Sequence, residues 1–171
     1  MNKEFLIRIG QFILLILSQV LLFNNMGIGG NEEYIPYVYI LFILLYPVDT
    51  NKNIFLFFSF LLGLTLDIFS SSGGVHTVAC TSIAFIRPSI LKFAFGTSYE
   101  FHTIKFANTE FGSRLSYFSI LIIIHHLIMF LLETFNFSFI LYSLKHTLFS
   151  SIYTLLLSIL LLALFSSKKK K

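Results

Sequence analysis

The residues of this sequence that could do chemistry lie inside apolar runs. Asp67 falls about one helical turn from the end of a run opening near Ile54, within Gly63 to His76, GLTLDIFSSSGGVH. A carboxylate in hydrocarbon costs about 2.5–3.5 kcal/mol on insertion scales, so it must face other helices or a polar cavity. Ser59, Gly63 and Asp67 recur every fourth residue. That spacing puts a small-xxx-small pair and the acid on one helix face, where a neighbouring backbone can approach closely. Ser70 to Gly74, including Gly73, has the composition of a tight turn, because glycine tolerates positive φ and serine hydroxyls satisfy freed backbone groups. The second titratable group is His125, His126 and Glu133. His126 and Glu133 share a helix face, whereas His125 points about 100° away. A metal site would want ligands one turn apart with a third nearby, and no such set is spelled out. Each histidine is therefore expected to make one interhelical hydrogen bond, with Glu133 reaching the headgroup region. No phosphate-cradling glycine loop and no nucleophile-base-acid set occurs. The residues themselves give no expectation of a cofactor, a metal or a nucleic-acid partner.

Composition says what must position these residues. Of 171 residues 56% are hydrophobic and only 12% charged, and the mean hydropathy is +0.85. Soluble domains are roughly 45–50% apolar, so this reads as an integral membrane protein in contact with the lipid bilayer. Six helices of about 20 residues leave roughly 50 positions for loops and tails, hence a single domain over 1–171. The lone Cys80 excludes an intramolecular disulfide. With no tryptophan, the interfacial aromatic belt is expected from Tyr34, Tyr37, Tyr46, Tyr99, Tyr117 and Tyr142 near span ends.

Along the chain, the first span is read from Phe5 to Phe23, behind Lys3 and Arg8; no A-x-A-like site follows, so it is expected to stay attached. Gln11, Ser18 and Asn25, spaced by seven, make a thin polar stripe on it. Tyr34 to Tyr46 offers only ~20 Å of helix for a ~30 Å core, so the second span is short or re-entrant, with Pro36 in its first turn. Ile54 to Ser70 and Val75 to Phe95 follow, the latter with Thr77, Cys80, Thr81, Ala84 and Pro88 on a close-packed face. Arg87 lies ~18 Å along the fourth span from Val75, whereas Asp67 is ~5 Å from its own outer end. A direct pair is therefore not expected, and Arg87 should snorkel to the inner interface. Gly96 to Ser113 is the longest loop, and the fifth span runs from Leu115 to Phe135. The sixth, Leu144 to Phe165, carries Thr147, Ser151, Thr154 and Ser158 as a hydroxyl seam. This seam, centred on Ser151 and Thr154, and the Gln11-Ser18 stripe are the faces that could accept another protein's helix. Inner segments hold Lys3, Arg8, Lys52, Lys92, Lys105, Arg114 and Lys168 to Lys171, and outer segments only Lys145. The positive-inside rule thus predicts six spans with both termini cytoplasmic.

Gly63-x-x-x-Asp67-Ile68-Phe69-Ser70, the Gly/Ser turn after it and the small-residue-rich fourth span resemble the MreD family of bacterial rod shape-determining proteins. Pro36 to Pro47, PYVYILFILLYP, is similar to that family's second span. The resemblance covers most of the chain but consists of hydropathy plus scattered residues. It implies an all-α bundle of six transmembrane helices, S-component-like, in the bacterial inner membrane. It implies a scaffold of the rod (elongation) complex, positioning a single-span MreC-like protein, the MreB cytoskeleton and a RodA-type peptidoglycan synthase with its penicillin-binding partner. Gly63, Asp67, Gly73 and Gly74 would then serve as interaction residues. The alternative is a substrate-binding S-component-like subunit of a vitamin transporter, with Asp67, His125, His126 and Glu133 lining a pocket.

Overall fold

A computed structural model describes residues 3–26, 34–96, 106 and 109–166. The chain is all-helical, with no strand among the described residues. Helix α1 is Lys3–Leu21. The second element, α2, is a 3-10 turn at Val38–Ile40 that continues as one α-turn at Leu41–Leu44. Helices α3 (Lys52–Ser70), α4 (Val75–Phe95), α5 (Phe111–Thr134) and α6 (Ile140–Ser166) complete the order. Five helices are long and apolar enough to cross a bilayer, so the chain is a multi-pass membrane protein.

Local chemistry sets the helix ends. Asn51 caps α3 by accepting from the Asn53 N–H at 2.9 Å. Ser71, at φ +52°, ends it in the left-handed region. Asn136 accepts from the Ser138 N–H at 2.9 Å and so turns the chain into α6. Helices α5 and α6 begin at Phe111 and Ile140, ahead of the predicted Leu115 and Leu144. The apolar runs are broken at Arg114 and Lys145, but backbone hydrogen bonding continues past both charges.

Neighbouring long helices pack in sequence, α3 on α4, α4 on α5 and α5 on α6, while α1 packs on α3. Together they form an arc around α2, which touches α1, α4 and α6. The segment bearing α2 runs against α1. Its Pro36 and Val38 meet Gln19 near the end of α1, and Tyr46 lies under Arg8 near the start. That is ~17 Å of travel measured along α1. The second span is thus short, as predicted, and it crosses the bundle rather than turning back. Pro36 precedes the helical turns rather than opening them. Arg8 and Leu162 line one cavity, so the start of α1 and the end of α6 share one end of the bundle. Lys52, Lys92 and Arg114 sit at that same end, at the outer turns of α3, α4 and α5.

Polar side chains are buried within an otherwise apolar core, and large apolar side chains cover the outside. Ser59, His125, His126, Ser150, Thr154 and Ser158 are fully buried, whereas Leu14, Ile68, Phe93 and Leu141 point outward. The tyrosine belt is corrected by this packing. Tyr34, Tyr39, Tyr46 and Tyr117 are buried and Tyr37 half-buried, because hydroxyls or rings find partners inside, and among the described tyrosines only Tyr142 is exposed. The most exposed aromatics are Phe135 and Phe137 at the α5–α6 reversal, 85% and 91% exposed. Tyr99, Lys105, most of the Gly96 to Ser113 loop and the lysine tail lie outside the described residues.

Candidate functional site

The first part of the site is the α3–α4 junction. The reversal takes only Ser71 to Gly74, and Gly73 and Gly74 adopt φ +68° and +102°. A left-handed backbone costs an L residue about 1–2 kcal/mol, which is why glycine stands there. The turn sets the last turn of α3 against the first of α4. Asp67, 7% exposed, then accepts four hydrogen bonds. Its Oδ1 takes the Ser72 hydroxyl at 2.5 Å and the His76 N–H at 3.0 Å. Its Oδ2 takes the Thr77 N–H at 2.8 Å and the Thr77 hydroxyl at 2.5 Å. Asp67 thus does from α3 what an N-cap does, satisfying orphan amides of α4 with a charge that suits the positive end of the helix dipole. Gly63 makes the approach possible: a Cβ there would lie 2.5 Å from Thr77 Cα and 2.6 Å from the His76 carbonyl oxygen. The small-xxx-small face is used, and its partner is the backbone of α4.

The second part surrounds α2. A crossing this irregular exposes carbonyls and amides that hydrocarbon cannot satisfy, so the surrounding helices must bond to it. At its start, Gln19 Oε1 accepts from the Val38 N–H at 2.8 Å, and Gln19 Nε2 donates to the Pro36 carbonyl at 3.1 Å. Thr154 of α6 accepts from the Tyr37 N–H at 2.9 Å. At mid-depth the Tyr39 hydroxyl hydrogen-bonds His76 Nδ1 at 2.8 Å and His125 Nε2 at 3.1 Å. At its end, Arg87 Nη2 donates to the Tyr46 and Leu44 carbonyls, Arg87 Nε donates to the Tyr117 hydroxyl at 2.7 Å, and Tyr117 donates to Leu44 at 3.0 Å. A cation thereby meets the negative end of a short helix. Arg87 also stacks over the Phe55 ring at 4.9 Å.

The directions of some bonds follow from chemistry alone. His126 Nδ1 faces the Ile122 carbonyl at 2.7 Å, which only accepts, so Nδ1 carries the proton. Nε2 is left to accept from Thr154 at 3.2 Å, and that hydroxyl accepts in turn from Tyr37. The arrangement orients and holds groups.

The structure therefore gathers Gly63, Asp67, Gly73 and Gly74 in one junction, and His125, His126 and Thr154 around α2. As predicted, each histidine bonds to another element, and Asp67 and Arg87 do not pair. Two expectations are corrected. Arg87 is 3% exposed and bonds inside the bundle instead of snorkelling, because the α2 carbonyls offer it acceptors at its own depth. The seam does not face lipid: Thr147, Ser151, Thr154 and Ser158 are all buried, because α6 turns this face inward onto α2 and α5. The Gln11, Ser18 and Asn25 stripe bonds within α1, to Arg8, Leu14 and Leu21. Glu133 is exposed near the end of α5. Among the described residues no three of His, Cys, Asp and Glu are grouped to hold a metal. Gln19, Tyr39 and His76 were missed by sequence reasoning. The available signal was a proline-flanked span too short to be regular, which requires polar partners at its depth. Comparison with family models, with curated proteins and with solved structures finds no match for this chain.

Proposed function

We propose that the chain is a non-enzymatic membrane scaffold of the MreD type, serving the bacterial rod complex that maintains cell shape. The observation that carries this reading is how the polar groups around α2 and at the α3–α4 junction are used. Gln19, Arg87, Tyr117 and Thr154 bond the backbone of the short crossing, Tyr39 bonds two histidines, and Asp67 bonds α4. An S-component-like transport subunit would need those side chains free to meet a ligand. Here they lock the bundle into one arrangement, as a positioning protein requires. The sequence resemblance around Asp67 and Pro36 to Pro47 supplies the partners: an MreC-like single-span protein, the MreB cytoskeleton and a RodA-type synthase with its penicillin-binding protein.

In this reading the protein sits in the bacterial inner membrane with its basic end, carrying Arg8, Lys52, Lys92 and Arg114, in the cytoplasm. Depletion in the source bacterium tests it. Rod cells are expected to round and to recover when the wild-type chain returns, and the single-span partner should copurify from mildly solubilised membranes. Cells that keep their shape but require an added vitamin would assign the chain to transport instead.

A further inference from the structure

Among the described residues, α1 and α6 each pack on α2 and make at most a slight contact with each other, which leaves an opening between them. Two cavities occupy this opening. One, of about 250 Å³, lies toward the outer half against Phe23, Pro36, Leu156 and Leu160. The other, of about 260 Å³, lies toward the basic end, with Leu15, Leu41, Leu45 and Leu162 as its walls and Arg8 and Gln11 at its rim. It is an apolar trough closed at one end by a cation.

Arg8 sits about 8 Å along α1 from its first residue, at the depth of headgroups. It is half-buried, donates from Nη1 to Gln11 Oε1 at 2.8 Å, and lies 5.9 Å from the Tyr46 ring centre. No carboxylate pairs with it among the described side chains, and Gln11 takes only one of its five N–H donors. Lys52, Lys92 and Arg114 at the same end add positive field without touching the trough.

We propose that this opening holds one anionic phospholipid, with its phosphate on Arg8 and one acyl chain along Leu15, Leu41, Leu45 and Leu162. A guanidinium suits a phosphate because two parallel N–H donors match two oxygens. The unbranched apolar trough suits a methylene chain. The headgroup must be anionic because a choline or ethanolamine ammonium would be brought against Arg8 in a field that is already positive. The acyl chain would fill the cavity between α1 and α6. This inference stands apart from the scaffold reading.

Two measurements on the full chain test it. The first incorporates a photoreactive residue as Leu15→p-benzoylphenylalanine in native membranes and reads the adduct by mass. A phospholipid adduct is expected; a polypeptide adduct, from a second copy or a partner helix, or no adduct at all, would overturn the proposal. The second compares binding of phosphatidylglycerol and phosphatidylcholine to the purified protein by native mass spectrometry. Removing a charge-assisted phosphate contact should lower phosphatidylglycerol affinity about tenfold in Arg8→Gln. Arg8→Lys should retain most of it, and Lys92→Gln, exposed at the same end, should match the wild type. An unchanged preference in Arg8→Gln, or an equal loss in Lys92→Gln, would show only bulk attraction to basic residues and reject the site.

Discussion

Replacing Asp67 by alanine should unfold the α3–α4 corner rather than merely remove a surface contact. The carboxylate is the acceptor for the His76 and Thr77 amides, at 3.0 and 2.8 Å, and for two hydroxyls. The hydroxyls can turn to other acceptors, but the amides are fixed by the first turn of α4. Each buried amide left unpaired costs about 1–3 kcal/mol, so Asp67→Ala should lose about 2–6 kcal/mol. For a chain of this size each kcal/mol moves the melting temperature by about 2–4 °C, so a mid-range loss of ~4 kcal/mol predicts a fall of ~8–16 °C. Asp67→Asn keeps one acceptor oxygen and presents an NH2 to the other pair of donors, so its loss should be roughly half as large. The assay is thermal unfolding of the detergent-solubilised chain, followed by helical circular dichroism. Melting of Asp67→Ala within 2 °C of the wild type, with no fall in expression, would refute the clamp. Asp67 would then be free to act on a partner.

The other expectations concern neighbouring contacts. Gly63→Ala drives a Cβ to 2.5 Å from Thr77 Cα, so α3 and α4 must separate, at about 1–3 kcal/mol; an unchanged melting temperature would contradict that close approach. Gly74→Ala meets open space but must hold φ +102°, so it should cost about 1–2 kcal/mol through the backbone alone; a rise in stability would count against the turn. Joint Ser151→Leu and Thr154→Leu adds bulk inside the bundle and removes the acceptor for the Tyr37 amide. Folded protein should then be lost from membranes, whereas normal insertion with loss only of a partner would return the seam to the lipid face. Arg87→Leu frees the Tyr46 carbonyl and loosens the following loop, so trypsin should cut at Lys52 faster than in the wild type; cleavage at the wild-type rate would deny Arg87 its part in holding α2.

The long helices were legible because a membrane span announces itself through composition, and Asp67 was legible because a charge in such a span must be used. Gly63 could be read from its spacing, since only a missing Cβ permits backbone contact of that kind. The face of α6 could not be read. A row of hydroxyls three or four residues apart looks the same whether it meets another protein or the chain's own α2. Arg87 was misplaced because rise along one helix fixes depth but does not reveal that carbonyls of another segment lie at that depth. Gln19 and Tyr39 depend on contacts between residues far apart in sequence, and no local pattern encodes those.

That the short segment from Pro36 to Tyr46 truly crosses the bundle, held by Gln19 at one end and Arg87 at the other, can be decided by thiol labelling in intact spheroplasts. Cys80 is fully buried, which gives a silent background. Asn25→Cys and Asn53→Cys each place an exposed thiol just before and just after the crossing. A membrane-impermeant maleimide should label Asn25→Cys from outside and leave Asn53→Cys untouched until the membrane is opened. Labelling of both from the same side would mean that residues 36–46 turn back, leaving five crossings and the two ends of the chain on opposite sides of the membrane.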